Sequence, residues 1–150
     1  MRLSLHSDYA LRTMMYLAVY DGHRPIGEIA RAYGISKNHL MKVAQHLVAE
    51  GFLESVRGRS GGLQLARPAE AINVGQVART MEETSGFVEC FSPQTNRCVI
   101  TPACQLRHVL ADGLEAFFSH LDRYCLADLI THPDAVRDSF KVTTVTRQAV

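Results

Sequence analysis

Three of the chain's four cysteines, Cys90, Cys98 and Cys104, fall within one stretch, CFSPQTNRCVITPAC. Pro93, Asn96 and Pro102 interrupt it, and it holds too little apolar material to be ordered by packing alone. The start of the chain does not read as an export signal: in MRLSLHSDYALR the charges of Asp8 and Arg12 arrive before an apolar core could form. The longest nearby apolar run, MMYLAVY, is far too short to cross a bilayer. A reducing cytoplasm is therefore the expected compartment, with no membrane association. There, clustered cysteines are more often metal or redox ligands than disulfide partners.

The spacing between these thiols, seven residues and then five, lacks the tight pairs of zinc ribbons and the Cys-x2-Cys runs of bacterial ferredoxins. Three thiolates are one short of a usual four-ligand site. His108, Asp8, His6, Glu89 or a residue of a partner chain could supply the missing donor. The thiols read as ligands of an iron–sulfur cluster. Structural zinc is one alternative, and an electron carrier built around a cluster is another. On its own residues, Asp8 reads as a first-turn acid paired with Arg12 four positions on. Cys125 lies in an apolar stripe and reads as a packing residue. No nucleophile–base pair and no phosphate-binding glycine loop after a strand is evident, so an enzyme is not expected.

The elements that must position these donors start with a predicted helix from about Asp8 to Tyr20, capped by Ser7 and ended by Asp21-Gly22. Its inward residues at helical spacing are Tyr9, Ala10, Met14, Leu17 and Ala18. Pro25 starts a short helix, IGEIARAY, broken by Gly34. Ser36 then caps a third, KNHLMKVAQHLVAE, closed by Gly51. Short helix, glycine turn and longer capped helix form the helix-turn-helix pattern. Leu40, Val43, Ala44 and Leu47 make the buried stripe of the third helix. Lys37, Asn38, His39 and Lys42 are left near its outward N-terminal end, where Asn suits adenine and Lys a guanine edge or a phosphate.

FLESV and LQLA, alternating in polarity around RGRSGG, read as a hairpin with Arg57 and Arg59 at its tip. A basic hairpin after a helix-turn-helix is the wing of a winged helix, reaching the DNA backbone or minor groove. Net charge over all 150 residues is only +1, yet it is unevenly spread. Up to Pro68, nine Lys/Arg stand against five acids, a net of +4; beyond it, seven stand against ten, a net of −3. The basic half is the one expected to meet phosphates.

After the wing, Asn73 and Gln76 resemble a capping box for a helix through Met81. Thr101-Pro102 reads as the start of another, with Thr101 as cap and Cys104 in its first turn, where backbone N–H groups favour a thiolate. Leu106, Leu110, Leu114, Phe117, Leu121 and Tyr124 then form a heptad-like seam. Val109, Gly113, Phe118 and Cys125 widen it, which predicts a helix of about 25 residues packed against a second copy of itself. The expected fold is mainly α: a winged helix-turn-helix over 1–68, a linker helix and cysteine loop over 69–104, a long dimerisation helix over 105–130 and a tail, partly disordered, over 131–150.

The stretches MRLSLHSDYALR, YGISKNHLMKV, VRGRSGGLQLARPAEAI, CVITPACQLRHVL and FFSHLDRYCLADLI together resemble the Rrf2 family of winged-helix iron–sulfur repressors, nearly from end to end. SKNHL and the last two stretches are most similar to its nitric-oxide-sensing branch. The resemblance implies a homodimer on a palindromic double-stranded operator, with a cluster between the cysteine loop of one chain and the DNA-reading part of the other. It implies Cys90, Cys98 and Cys104 as metal ligands, Asp8 of the partner subunit as the fourth, and Arg12 as a neighbour of the cluster. The DNA-binding set is then Ser36, Lys37, Asn38, His39, Lys42, Arg57 and Arg59. A [4Fe-4S] cluster is preferred, [2Fe-2S] being the alternative. Nitrosylation is expected to release DNA and derepress nitrosative-stress genes. Two positions depart from the pattern. The first spacing matches instead the branch that senses iron status, which leaves an iron or cluster-supply regulator as the alternative. Arg107 stands where another branch has a histidine ligand, and His108, about 100° further round the helix, reads as a surface residue.

Overall fold

The computed structural model describes residues 3–58 and 61–147. Helix α1 spans Leu5–Val19, α2 Ile26–Tyr33 and α3 Lys37–Ala49. Strands β1 (Leu53–Val56) and β2 (Gly62–Leu65) form the hairpin, followed by α4 (Val74–Met81), α5 (Gln105–Leu121) and α6 (Pro133–Arg147). Short 3-10 turns at Thr84–Gly86, Glu89–Phe91 and Thr101–Ala103 carry the chain through the cysteine region.

The inward faces read from the sequence form one core. Ala10, Met14 and Leu17 of α1 meet Leu40, Val43, Ala44 and Leu47 of α3, together with Ile29, Phe52 and Leu63. Gly34 ends α2 at φ 66°, a left-handed turn that glycine adopts without steric cost. The hairpin is antiparallel, pairing Leu53 with Leu65 and Ser55 with Leu63. Arg24 exchanges two 2.9 Å backbone hydrogen bonds with Leu63, so the wing is pinned to the segment leading into α2.

Four expectations need correction. First, α1 begins three residues early. Ser4 is its cap, accepting from the Ser7 N–H at 3.1 Å, while the Ser7 hydroxyl is fully buried against Glu82. Second, Thr101 does not cap α5. It opens a 3-10 turn, and Cys104 takes the cap position instead of the first helical turn.

Third, the seam does not run on to residue 130. The helix stops at Leu121 because the next residues are captured as a strand-like segment: Tyr124 C=O accepts from Val74 N–H at 3.0 Å, and Leu126 N–H donates to Ile72 C=O at 2.8 Å. The Asn73 side chain adds a bond to Asp122 C=O at 2.6 Å. Fourth, the supposed tail is helical as far as Arg147. Phe140 packs among Tyr16, Tyr20 and Tyr33, and Arg137 donates to Val19 C=O at 2.6 Å, so α6 lies against α1 and α2.

Helices α4 and α5 are clamped by Arg79, which makes two 2.7 Å bonds to Glu115 and one of 2.8 Å to Asp122 beside the Phe118 ring. The guanidinium holds the Glu115 carboxyl below its ordinary range. Gly75 permits this approach: a Cβ there would overlap the Asp122 side chain and stand 2.6 Å from its backbone N. Gly75→Ala is therefore expected to destabilise the fold by about 1–3 kcal/mol in urea unfolding, because neither backbone can yield without breaking the clamp.

Candidate DNA-reading surface and cysteine loop

Ser36 precedes α3 and, with Lys37, Asn38 and Lys42, is exposed. Ser36 occupies the cap position but makes no side-chain capping bond. His39, expected to face outward with them, is only half-exposed. Its ring meets Tyr9 of α1 edge-on, with centroids 5.0 Å apart. Arg57 is exposed just after β1, and Arg59 lies outside the described residues. The arrangement presents cations and an amide at the head of a helix and a further cation on the adjoining hairpin.

Asp8 lies one turn into α1. Arg12 grips it through both oxygens, Nε–Oδ1 and Nη2–Oδ2 each 2.9 Å, the i,i+4 pair expected from the sequence. The same guanidinium lies 6.0 Å from the centre of the Tyr33 ring, the last residue of α2. Burial pushes the Tyr33 hydroxyl up to about 12. Arg12 thus stands between the Asp8 carboxylate and the helix-turn-helix corner.

The cysteine loop is ordered by polar bonds rather than by a core. Thr101 Oγ1 donates to Cys98 C=O at 2.8 Å, and Asn96 Oδ1 accepts from Cys98 N–H at 3.0 Å. Glu89 accepts from Arg97 N–H at 2.6 Å, which occupies one donor the sequence left open. Arg107 donates to Cys90 C=O at 3.2 Å and ties the loop to α5. All four cysteines are free: Cys98 is exposed, and Cys90, Cys104 and Cys125 are half-buried. Among the described residues of one chain, no three His, Cys, Asp or Glu side chains converge on a common point.

The donor types, three soft thiols and a carboxylate, suit the iron of a cluster. Beside Cys104, the apolar side chains of Val99, Ile100, Leu106 and Val109 are exposed, between 61% and 91%. Cys125 instead caps a short turn through Asp128, whose carboxyl that contact holds below its ordinary range.

Several contacts were not legible in the sequence. Glu82, at the end of α4, accepts from Ser4 N–H at 3.0 Å and from the buried Ser7 hydroxyl, and so fixes the first turn of α1. His6 Nε2 lies 2.9 Å from His46 Nδ1, joining α1 to α3. Burial, then the neighbouring His46 and His39, hold His6 below the ordinary histidine range. His108, the other candidate donor, is exposed on α5. These partners are 78 and 40 residues apart, beyond the reach of any local pattern.

A helix-turn-helix whose second helix leads with exposed Lys and Asn, followed by a hairpin with an exposed arginine, defines a winged-helix DNA-binding protein. Residues 3–132 match the Rrf2 family, described as an iron-dependent transcriptional regulator. The chain is 42% identical over 139 residues to the HTH-type transcriptional regulator NsrR of Bacillus licheniformis, covering 91% of this chain and 97% of that one. It is also 42% identical over 147 residues to NsrR of Bacillus subtilis, covering 95% and 99% respectively. Among solved structures it is similar to T. potens IscR, with a TM-score of 0.69 and 26% identity over 87% of this chain and 86% of that one. The chain belongs to the Rrf2 family. It is a DNA-binding transcriptional regulator, as those relatives are, and not an enzyme.

The exposed head of α3 predicts that Lys37→Ala/Asn38→Ala abolishes discrimination between operator and scrambled DNA. Arg57→Ala is expected to weaken binding to both DNAs alike and to lower the slope of log K against log salt by about one. Fluorescence anisotropy titrations at several salt concentrations measure both.

Proposed function

We propose that this chain is a homodimeric repressor of the NsrR type that binds a palindromic operator while loaded with an iron–sulfur cluster and leaves it on meeting nitric oxide. Cys90, Cys98 and Cys104 of one subunit and Asp8 of the partner subunit hold the cluster, and Ser36, Lys37, Asn38, Lys42, Arg57 and Arg59 face the DNA, with His39 behind them against Tyr9. The reading is carried by one observation: three unpaired thiols share a polar-bonded loop, in a chain about 42% identical to NsrR regulators along nearly its whole length. Four protein ligands match one per iron of a [4Fe-4S] cluster; a [2Fe-2S] cluster with the same four is the alternative. Bound there, the cluster would supply an iron open to a small diatomic ligand.

The chain's own part is to choose where Asp8 is held. A carboxylate is a harder and weaker ligand for such iron than a thiolate. Arg12 already holds that carboxylate by two charge-assisted bonds in the single chain. The guanidinium would therefore compete with a bound cluster for Asp8, and it offers the carboxylate a cationic partner when no cluster holds it. Because α1 packs on α3, the position of Asp8 bears on the reading helix. Two half-sites about 34 Å apart must be met together, so a small rotation at either reading head spoils both contacts.

A gel-mobility assay on a palindromic operator, with anaerobic loaded protein before and after stoichiometric nitric oxide, is expected to show the complex lost. An unchanged shift would remove nitric oxide as the signal. Cys98→Ser is expected to lose iron and acid-labile sulfide, read by visible absorption and metal analysis. Asp8→Ala is expected to retain the colour but bleach faster in air. The seven-residue spacing between Cys90 and Cys98 favours a second reading, a sensor of iron or cluster supply. Parallel titrations with nitric oxide and an iron chelator separate the two by which abolishes binding at the lower dose.

A further inference from the structure

We infer that two side-chain contacts between α1 and α3, His6 with His46 and Tyr9 with His39, are positioning contacts that convert a displacement of α1 into a reorientation of the reading helix; the inference rests on the proposed role of Asp8. On a helix, each residue advances about 100°. His6 and Tyr9 are therefore near neighbours on one flank of α1, whereas Asp8 and its partner Arg12 lie well round the cylinder from His6. Round the cylinder the order is His6, Tyr9, Arg12 and Asp8, so Tyr9 stands between the His6 grip on α3 and the Arg12–Asp8 pair.

The two grips differ in kind from the core beneath them. Ala10, Met14 and Leu17 contribute apolar contacts to α3, which are non-directional and tolerate a slide. The His6–His46 bond, at 2.9 Å, holds only near linear geometry. One of the two facing nitrogens, His6 Nε2 or His46 Nδ1, carries the shared proton, and His46 Nε2 stands 3.9 Å from the Glu50 carboxylate on the far side of the ring. The Tyr9–His39 pair stands edge-on, an arrangement with a preferred ring angle.

His39 and His46 are seven residues apart, about 10 Å along the axis at 1.5 Å per residue. Two anchors that far apart fix the direction of α3 as well as its place. His39 also adjoins Asn38, so the upper anchor sits directly behind the exposed residues at the head of the helix. A tilt of α1 moves both anchors, and α3 turns with it.

The test uses the full chain, reconstituted with cluster under anaerobic conditions and compared with its cluster-free form. The ratio of operator affinities between the two forms is read by anisotropy. Tyr9→Leu/His46→Leu is expected to shrink that ratio by at least about threefold, the scale of coupling between residues in contact, with the visible spectrum unchanged. Tyr9→Phe, which keeps the ring, and His46→Asn, which keeps a polar atom where Nδ1 stands, are expected to preserve it. A ratio in the double Leu variant equal to that of the unmodified chain overturns the inference. No difference between loaded and cluster-free forms of the unmodified chain overturns the function proposed above instead.

In that event a second measurement still decides the contacts. In cluster-free protein, Arg12→Leu, which releases Asp8, is expected to shift the imidazole NMR signals of His39 and His46 while leaving those of His108 and His132 in place. Unmoved His39 and His46 signals sink the coupling on their own.

Discussion

The Glu82 carboxylate at the N-terminus of α1 is the interaction on which the placement of everything else turns. It accepts from Ser4 N–H and from the hydroxyl of Ser7, which is wholly buried. An anion at that end complements the helix dipole and satisfies groups that the first turn leaves without intrahelical partners. Hydrogen bonds to a charged acceptor contribute about 1.5–3 kcal/mol, and a buried hydroxyl left without its acceptor costs a comparable amount. Glu82 also closes α4, immediately before the run of short turns that leads to Cys90. One side chain therefore fixes the helix that carries Asp8 to the origin of the segment that carries the thiols. The α4–α5 clamp through Arg79 fixes the far end of that segment to the same body.

Within this frame the cysteine segment has a particular mechanical character. It has no core of its own and is kept in shape by bonds such as Thr101 to Cys98 and Arg107 to Cys90. Polar bonds exposed to water contribute little net stability each, so such a segment is anchored at its ends and compliant between them. Under the proposed function, that compliance would let the sulfur atoms adjust to an incoming inorganic group. The opposite character belongs to α3, whose four inward side chains are almost fully buried and whose outward end carries the charges.

How far the sequence could be read follows from the range of the interactions involved. The helix-turn-helix and wing are encoded locally: a proline before α2, glycine at its end, serine ahead of α3, and alternating strands around glycines. Local rules failed where distant backbone took over. Nothing in LDRYCLADL announces that residues 122–126 pair with 72–74 and cut α5 short. Ser7 looks like a cap until Glu82, 75 residues on, claims its hydroxyl and leaves Ser4 to do the capping. The tail hid a helix because its docking rests on two side chains, Phe140 entering a cluster of tyrosines from α1 and α2 and Arg137 bonding to Val19 C=O. The clustering of the thiols was legible from residue type and spacing alone. For Asp8 the local reading, a bond to Arg12, is what the single chain contains, and a further role for it belongs to the proposed function.

That coincidence has a physical consequence. An acid held only by water would cost little to recruit, but one held by a bidentate guanidinium must exchange one charged partner for another. The exchange is close to balanced when the two partners compete on similar terms, and a balanced exchange is what small chemical changes at the competing centre can tip. Arg12 also lies 6.0 Å from the centre of the Tyr33 ring, at the corner where α2 turns into the reading helix, so under the proposed function the outcome of such an exchange would be felt at that corner. The exposed apolar residues beside Cys104 bear on the same balance from the other side. In the proposed dimer, burying Leu106 and Val109 against a second copy would bring the thiols of one chain toward the Asp8 of the other. Assembly and ligand exchange would then share one free-energy change, and the strength of the apolar contact would set how easily the carboxylate returns to its arginine.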